Sequence, residues 1–445
     1  MKLWKKDTDS TTEVDMFTVG NDREFDMDLA QYDILGSIAH VMMLAHVRLI
    51  PEAEAQTLIT ELRKIYRSVT SGHFSISPES EDIHSEIELL LTRSLGAIGK
   101  KIHTARSRND QVLVDIKMYL RSELEALVYC IHDLFTQLQQ LSEQHKDVLL
   151  PGYTHLQLAM PSSFGLWFGA YAESFTDDVT TLIAAYTVCN RNPLGSAAGY
   201  GSSFPINRTL TTRLLGFEGM NTNVVYAQMS RGKTERIVAM ALANVADTLA
   251  KLSMDVCLFM SQNYGFVSFP SHLTTGSSIM PHKKNPDVFE LIRARCNRIK
   301  SLPNEIMMMT TNLPSGYHRD LQLIKEHVFP AFTQLTDCLS MAKLMFTHIT
   351  VTPPNLTSPL YHHLFSVEEV HKLVGQGVTF RDAYVQVGRA IESGEYAPTS
   401  SVNHTHEGSI GNLGTAAIRQ HMDELVHTFP FDSVRIALNK LITPE

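Results

Sequence analysis

Apolar side chains recur at helical spacing through most of this chain. Near the start Ile34, Leu35, Ile38, Met42 and Ala45 share one face, and after Pro51 a second helix is predicted to about Val69, before Gly72. Glu81 to Leu95 makes a third, with Ile83, Ile87, Leu90 and Leu91 inward and Gly96 as its stop. The longest pattern follows Ser107, an N-cap with Asp110 placed like the acid of a capping box. Leu120, Leu124, Leu127, Ile131, Leu134, Leu138 and Leu141 alternate spacings of four and three, a heptad that demands helical partners. A helix from Ser107 to His145 spans roughly 60 Å at about 1.5 Å per residue, more than one ordinary domain buries. Similar patterns run over 163–190, 233–262, 287–312 and 319–349, the last interrupted by Pro330. The prediction is all-α: a bundle of about five long helices, shared between subunits. Pro353 and Pro354 mark a boundary, after which short helices alternate with Gly-rich breaks. Three domains result: 1–105, 106–352 and 353–445.

Composition narrows the function. With 445 residues, 44% of them hydrophobic, the chain can bury a large core. A formal charge of -9 argues against general nucleic-acid or anionic-membrane binding, yet permits a local basic pocket. Cys130, Cys189, Cys257, Cys296 and Cys338 form no CxxC pair, which fits a reducing cytoplasm. The N-terminal MKLWKKDTDS has no apolar core, and no run approaches 18 uncharged apolar residues, so neither a signal peptide nor a membrane span is expected. There is no HExxH, and His362, His363, His404 and His406 lack recognisable metal-ligand partners.

The densest chemistry lies in Thr275 to Asp287, TGSSIMPHKKNPD. Gly276 frees the backbone, Ser277 and Ser278 follow, and Asn285 and Pro286 read as N-cap and first residue of a helix carrying Phe289, Ile292, Cys296 and Ile299. Lys283, Lys284 and a helix N-terminus then meet in a site for a carboxylate and for charge developing on it. Arg106 and Arg108 beside the helix that starts at Ser107 make a second anion site; a well-capped helix with solvated arginines accounts for the same residues equally well. PGYTHLQLAMPSS, Pro151 to Ser163, offers Thr154 and the imidazole of His155 in a loop, a proton donor or relay or an unremarkable surface histidine. NPLGSAAGYGSS, Asn192 to Ser203, fits a ligand-approaching loop or a plain connector. GYHRDLQLIKE, from Gly316, brings Tyr317, Arg319, Gln322 and Lys325 onto successive turns, toward a ligand or toward solvent. Ser37 and His40 read equally as site groups or helix surface, and His84 as a substrate contact or part of a charged face.

The run GSSIMPHKKNP, Gly276 to Pro286, resembles the signature of the fumarase, aspartase and argininosuccinate lyase superfamily, matching from Gly276 to Asn285. HTARSRNDQ (His103 to Gln111), Gly152 to Gln157, Asp33 to His40 and GVTFRDAYVQVG (Gly377 to Gly388) together resemble the argininosuccinate lyase family, so the likeness covers nearly the whole chain. That resemblance implies an all-α homotetramer with a twenty-helix core and active sites assembled from three subunits. It implies reversible elimination of arginine from argininosuccinate to leave fumarate, with no metal or organic cofactor. Ser277 would be the base, Lys283 and Asn285 would stabilise the aci-carboxylate, and His155, oriented by Glu290, would serve the leaving nitrogen. Ser107, Arg108, Asn109, Thr154, Tyr317, Gln322 and Lys325 fall on positions where the family binds substrate.

Some positions depart from the family pattern. Ala105 stands for a Gly, His282 for the Gln before the loop lysines, and Leu323 and Ile324 for an acidic pair; Trp4 is followed by Lys5 and Lys6 instead of Gly-Gly. Two other readings share the scaffold: a fumarate-releasing lyase with another amine leaving group, and a silent structural protein resembling some lens crystallins.

Overall fold

A computed structural model describes residues 12–397 and 400–443; Trp4, Lys5 and Lys6 lie outside the described residues. The chain is mostly helical. Helices α1 (Thr12–Val19), α2 (Asp22–His46), α3 (Glu52–Thr70) and α4 (Ile83–Leu95) precede α5 (Arg108–Gln144). Next come α6 (Phe164–Cys189), the short α7 (Arg208–Leu214) and α8 (Val224–Met229), then α9 (Lys233–Phe259), α10 (Asp287–Ile299), α11 (Leu302–Met309) and α12 (Ile324–Thr347). Helices α13 (Ser366–Gly375), α14 (Phe380–Ser393), α15 (Thr415–His427) and α16 (Phe431–Ile442) complete it.

The heptad does what its spacing predicts. All seven of its apolar residues on α5 are buried, against α6, α2 and α12, and α9 packs on α6, α10, α11 and α12. Helix α9 is long and apolar enough to cross a membrane, but most of that stretch is buried inside the bundle. Ser107 caps α5 as expected: its Oγ accepts from Asn109 N–H, and Asp110 Oδ1 accepts from Ser107 N–H.

Three expectations need correction. The pattern over 287–312 is two helices, because α10 ends at Ile299 and Pro303 opens α11 in its first turn. Pro330 lies inside α12, which runs through it as one helix. The Tyr317–Lys325 stretch is not one helix: Tyr317 is in a loop, Arg319–Leu323 is a 3-10 turn, and α12 begins at Ile324. Nor is the fold wholly helical: Pro151 to Ser163 is a hairpin of β1 (Leu149–Thr154) and β2 (Gln157–Ser163), and two further two-residue strand pairs occur. Beyond Pro354, α13 and α14 share a small core of Val370, Ala383, Val387 and Tyr396, whereas α15 packs on α6 and α16 on α2.

Candidate active site

One cavity of about 230 Å³ gathers five of the predicted residues: Arg108, Asn109, Tyr317, Gln322 and Lys325. Its floor is the first turn of α5. Arg108 Nη1 lies 3.0 Å from Asp82 Oδ2 and 3.4 Å from Glu81 Oε2. Arg319 Nη2 donates to Glu81 at 2.9 Å, and Gln322 Nε2 donates to the carbonyls of Thr18 and Val19. Lys325 is buried, 2.5 Å from Asp22 Oδ1 and also bonded to Asp26. Burial works against its charge, but the two carboxylates outweigh it and hold its pKa above the usual ammonium value. Asp22 is pushed up to about 6, by burial first, with Lys325 opposing and Asp26 adding to the rise. Charges of both signs line the cavity: Asp22, Asp26, Glu81 and Asp82 against Arg108, Arg231, Arg319 and Lys325. An incoming substrate therefore exchanges partners with an existing ion-pair set and does not meet bare cations.

Beneath this cavity lies a network that sequence reading reached only in part. His84, which also lines the cavity, has Nδ1 at 2.5 Å from Asp33 Oδ2, an oxygen that also accepts from Gln111 Nε2 at 2.6 Å. Burial disfavours the charged imidazole, yet the Asp33 carboxylate more than offsets it and raises the His84 pKa. Asp115, 3.6 Å from His84, is pushed well up by burial and by the Asp33 charge. Asp33, His84 and Asp115 bring ligand-type atoms within 4.8 Å of one another; Asp33 and His84 spend theirs on each other, and Arg106 adds positive charge nearby, which describes an ion pair better than a metal nest. Ser37 and His40 are not on the surface. Arg106 Nη1 donates to Ser37 Oγ at 2.9 Å, and His40 Nε2 donates to Thr104 O at 2.8 Å, which fixes the loop entering α5. Burial and the Arg106 charge take the His40 pKa down to about 3, so His40 is neutral. In that loop Ala105 sits at φ 60°, the left-handed region that glycine occupies without cost. The Asn192–Ser203 run also has an anchor: Asp110 Oδ2 accepts from Gly195 and Ala197 N–H, each at 2.9 Å.

The other predicted residues lie outside this cavity. Ser277, Lys283 and Asn285 are on the loop before α10, which is closed on itself by a Thr275–Asn285 bridge. Ser277 Oγ accepts from the N–H groups of Ile279 at 3.2 Å and Met280 at 3.0 Å. Asn285 does not cap α10, whose N-cap is Pro286; its amide faces Thr275 Oγ1 and Gly276 O, both at 3.4 Å, because its backbone is already committed to the bridge. Lys283 and Lys284 are exposed, and Glu290 is exposed in the first turn of α10. Thr154 and His155 occupy the tip of the β1–β2 hairpin. His155 and Leu156 have φ 55° and 59°, two successive left-handed residues where a type I′ turn prefers Asn-Gly. Among the described residues no ion pair joins His155 to Glu290 within one chain.

Comparison with known proteins decides the family. A protein-family model described as "Lyase" matches residues 7–300. The argininosuccinate lyase of Parabacteroides distasonis is 57% identical over 441 residues, 99% of each chain. The chain belongs to the argininosuccinate lyase family. The argininosuccinate lyase of Thermotoga neapolitana is 37% identical over 386 residues, covering 87% of this chain and 97% of that one. Among solved structures, EDDS lyase in complex with formate superposes with a TM-score of 0.75 over 98% of this chain and 94% of that chain, at 20% identity, a likeness of fold.

Against the pattern of this family, the departures acquire positions. Leu323, half exposed, closes the 3-10 turn and Ile324 is buried at the start of α12, so the carboxylates that hold Lys325 come from Asp22 and Asp26 on α2. His282 is exposed on the 275–287 loop. Arg231, Asp22 and Asp26 escaped sequence reading because no spacing links them to Lys325.

Proposed function

We propose that this chain is an argininosuccinate lyase of arginine biosynthesis, eliminating L-arginine from argininosuccinate to leave fumarate. Its end-to-end likeness to argininosuccinate lyases carries the assignment. Ser277 takes the proton from the carbon next to a substrate carboxylate, the C–N bond breaks, and the electron pair returns as the C=C bond of fumarate. The two N–H groups directed at Ser277 Oγ support that role, because they stabilise an alkoxide better than a neutral hydroxyl. Lys283 and Asn285 hold the aci-carboxylate, and His155, oriented by a partner chain's copy of the Glu290 carboxylate, delivers the proton to the leaving guanidinium nitrogen. The strained backbone at His155 and Leu156 supports a functional tip, since such strain persists where it positions chemistry. Ser107, Arg108, Asn109, Thr154, Tyr317, Gln322 and Lys325 bind substrate. No metal or organic cofactor enters this scheme.

The working unit is a cytoplasmic homotetramer with a twenty-helix core, its chains divided as 1–105, 106–352 and 353–445, and each site shared between subunits. Met240, Met254, Leu291, Met307, Met308, Met341 and Leu344 leave an exposed apolar face on α9, α10, α11 and α12, which other copies of the bundle would cover. Purified protein given argininosuccinate, adenylosuccinate, aspartate or malate separately, with fumarate followed by ultraviolet absorbance, tests the reaction. Fumarate from argininosuccinate alone is expected. Release from another substrate would reassign the leaving group, and silence on all four would favour a structural role.

A further inference from the structure

A second cavity, of about 210 Å³, shares Arg231 with the first. Its lining differs in kind. Arg231, Lys233, Arg236 and His318 contribute to it, together with Gly316, Ser315 and Thr310, and among the described residues no carboxylate does. Arg231 is nine-tenths buried; its Nη2 donates to Leu321 O at 3.2 Å, its guanidinium stands 5.7 Å from the Tyr317 ring, and among the described residues its Nε has no hydrogen-bond partner. Arg236 Nε and His318 Nε2 are likewise buried without partners. Buried nitrogens left unpaired on three side chains that line one cavity are unfavourable, which favours a ligand that draws those side chains into use. The nearest acid in sequence, Glu235, turns its carboxylate onto Gly232 N–H and does not line the cavity. The side-chain donors carry the site; the end of α9 adds little, since Gly232 N–H is taken by Glu235 and Thr234 N–H by Ser230.

We propose that this cavity binds a small oxyanion of phosphate type, held by Arg231, Arg236 and Lys233 with His318 beside them. Guanidinium and ammonium groups lining one cavity with, among the described residues, no competing carboxylate match a compact multivalent oxyanion of a size the cavity volume admits. In the first cavity the same chemistry is already answered by four carboxylates, so a free anion discriminates between the two.

Calorimetric titration of inorganic phosphate into the intact enzyme tests this. Saturable binding at one site per chain is expected, weakened at least tenfold by Arg236→Gln and by Lys233→Gln but retained in Arg108→Gln, which alters only the first cavity. Circular dichroism establishes that each variant is folded, and the exposed Lys233 decides if the Arg236 variant is not. Absence of saturable binding would overturn the proposal, and so would binding lost with Arg108→Gln and kept in the other two. The readout needs no turnover, so it is independent of the reaction assigned above.

Discussion

The cavity at the start of α5 and the loop before α10 carry the two halves of the proposed chemistry, and they are built oppositely. In the cavity three of the four cations are paired with carboxylates, Lys325 with Asp22 and Asp26, Arg108 with Asp82 and Glu81, Arg319 with Glu81, while Arg231 donates to the Leu321 carbonyl. On the loop Ser277 touches only neighbouring backbone, Lys283 and Lys284 point to solvent, and Ile279 is 85% exposed. A binding pocket has to be rigid before substrate arrives, and buried ion pairs supply that rigidity. A base and an oxyanion site gain from arriving late, when closure removes water. The comparison teaches that the cavity carries stability and binding together while the loop carries chemistry alone, so loop substitutions should cost activity without stability.

The largest separation is expected from Ser277→Ala: turnover falls by about a thousandfold or more, as for loss of a general base with its preorganised environment, while thermal unfolding stays put. A steady-state assay beside calorimetry checks both halves. Lys325→Met should cost both, abolishing turnover through lost substrate binding and destabilising by about 3–5 kcal/mol because the buried Asp26 and the half-buried Asp22 lose their cation. Denaturant unfolding measures that loss, and a drop under about 1 kcal/mol would mean the acids are solvated. Beneath the cavity, His40 predicts an acid limb. Its unfolded imidazole takes a proton near pH 6.5 but the folded one only near 3, so in that window the unfolded state binds more protons and stability falls with falling pH. Unfolding free energies across pH 4–7 should fall less steeply in His40→Asn than in the parent. Smallest is Ala105→Gly, which relieves a left-handed residue and should stabilise by about 1 kcal/mol, read as a rise in Tm with activity unchanged.

How much of this was legible in the sequence depends on range. The α5 heptad, the Ser107 cap and the Gly96 stop are local, fixed by spacing and by one residue's backbone freedom, and they appear where predicted. The hairpin at Thr154–Gln157 was hidden because its turn uses His-Leu where Gly or Asn normally announces it. The partners of Lys325 were hidden for another reason: Asp22 and Asp26 lie about three hundred positions away on α2, and only packing brings them together. Ser277, Lys283 and Asn285 were found by motif, yet what holds Ser277 Oγ, two backbone N–H groups, has no sequence signature.

If the two halves meet between chains, mixing two dead variants should restore life. Ser277→Ala and Lys325→Met would be denatured together, refolded, and assayed for fumarate release from argininosuccinate. With loop and cavity drawn from different subunits, about a quarter of the sites in an equal mixture combine an intact loop with an intact cavity, so activity returns to that order. Activity no greater than that of the two variants refolded separately, with mixed tetramers shown to form, would place both halves in one chain and contradict the account.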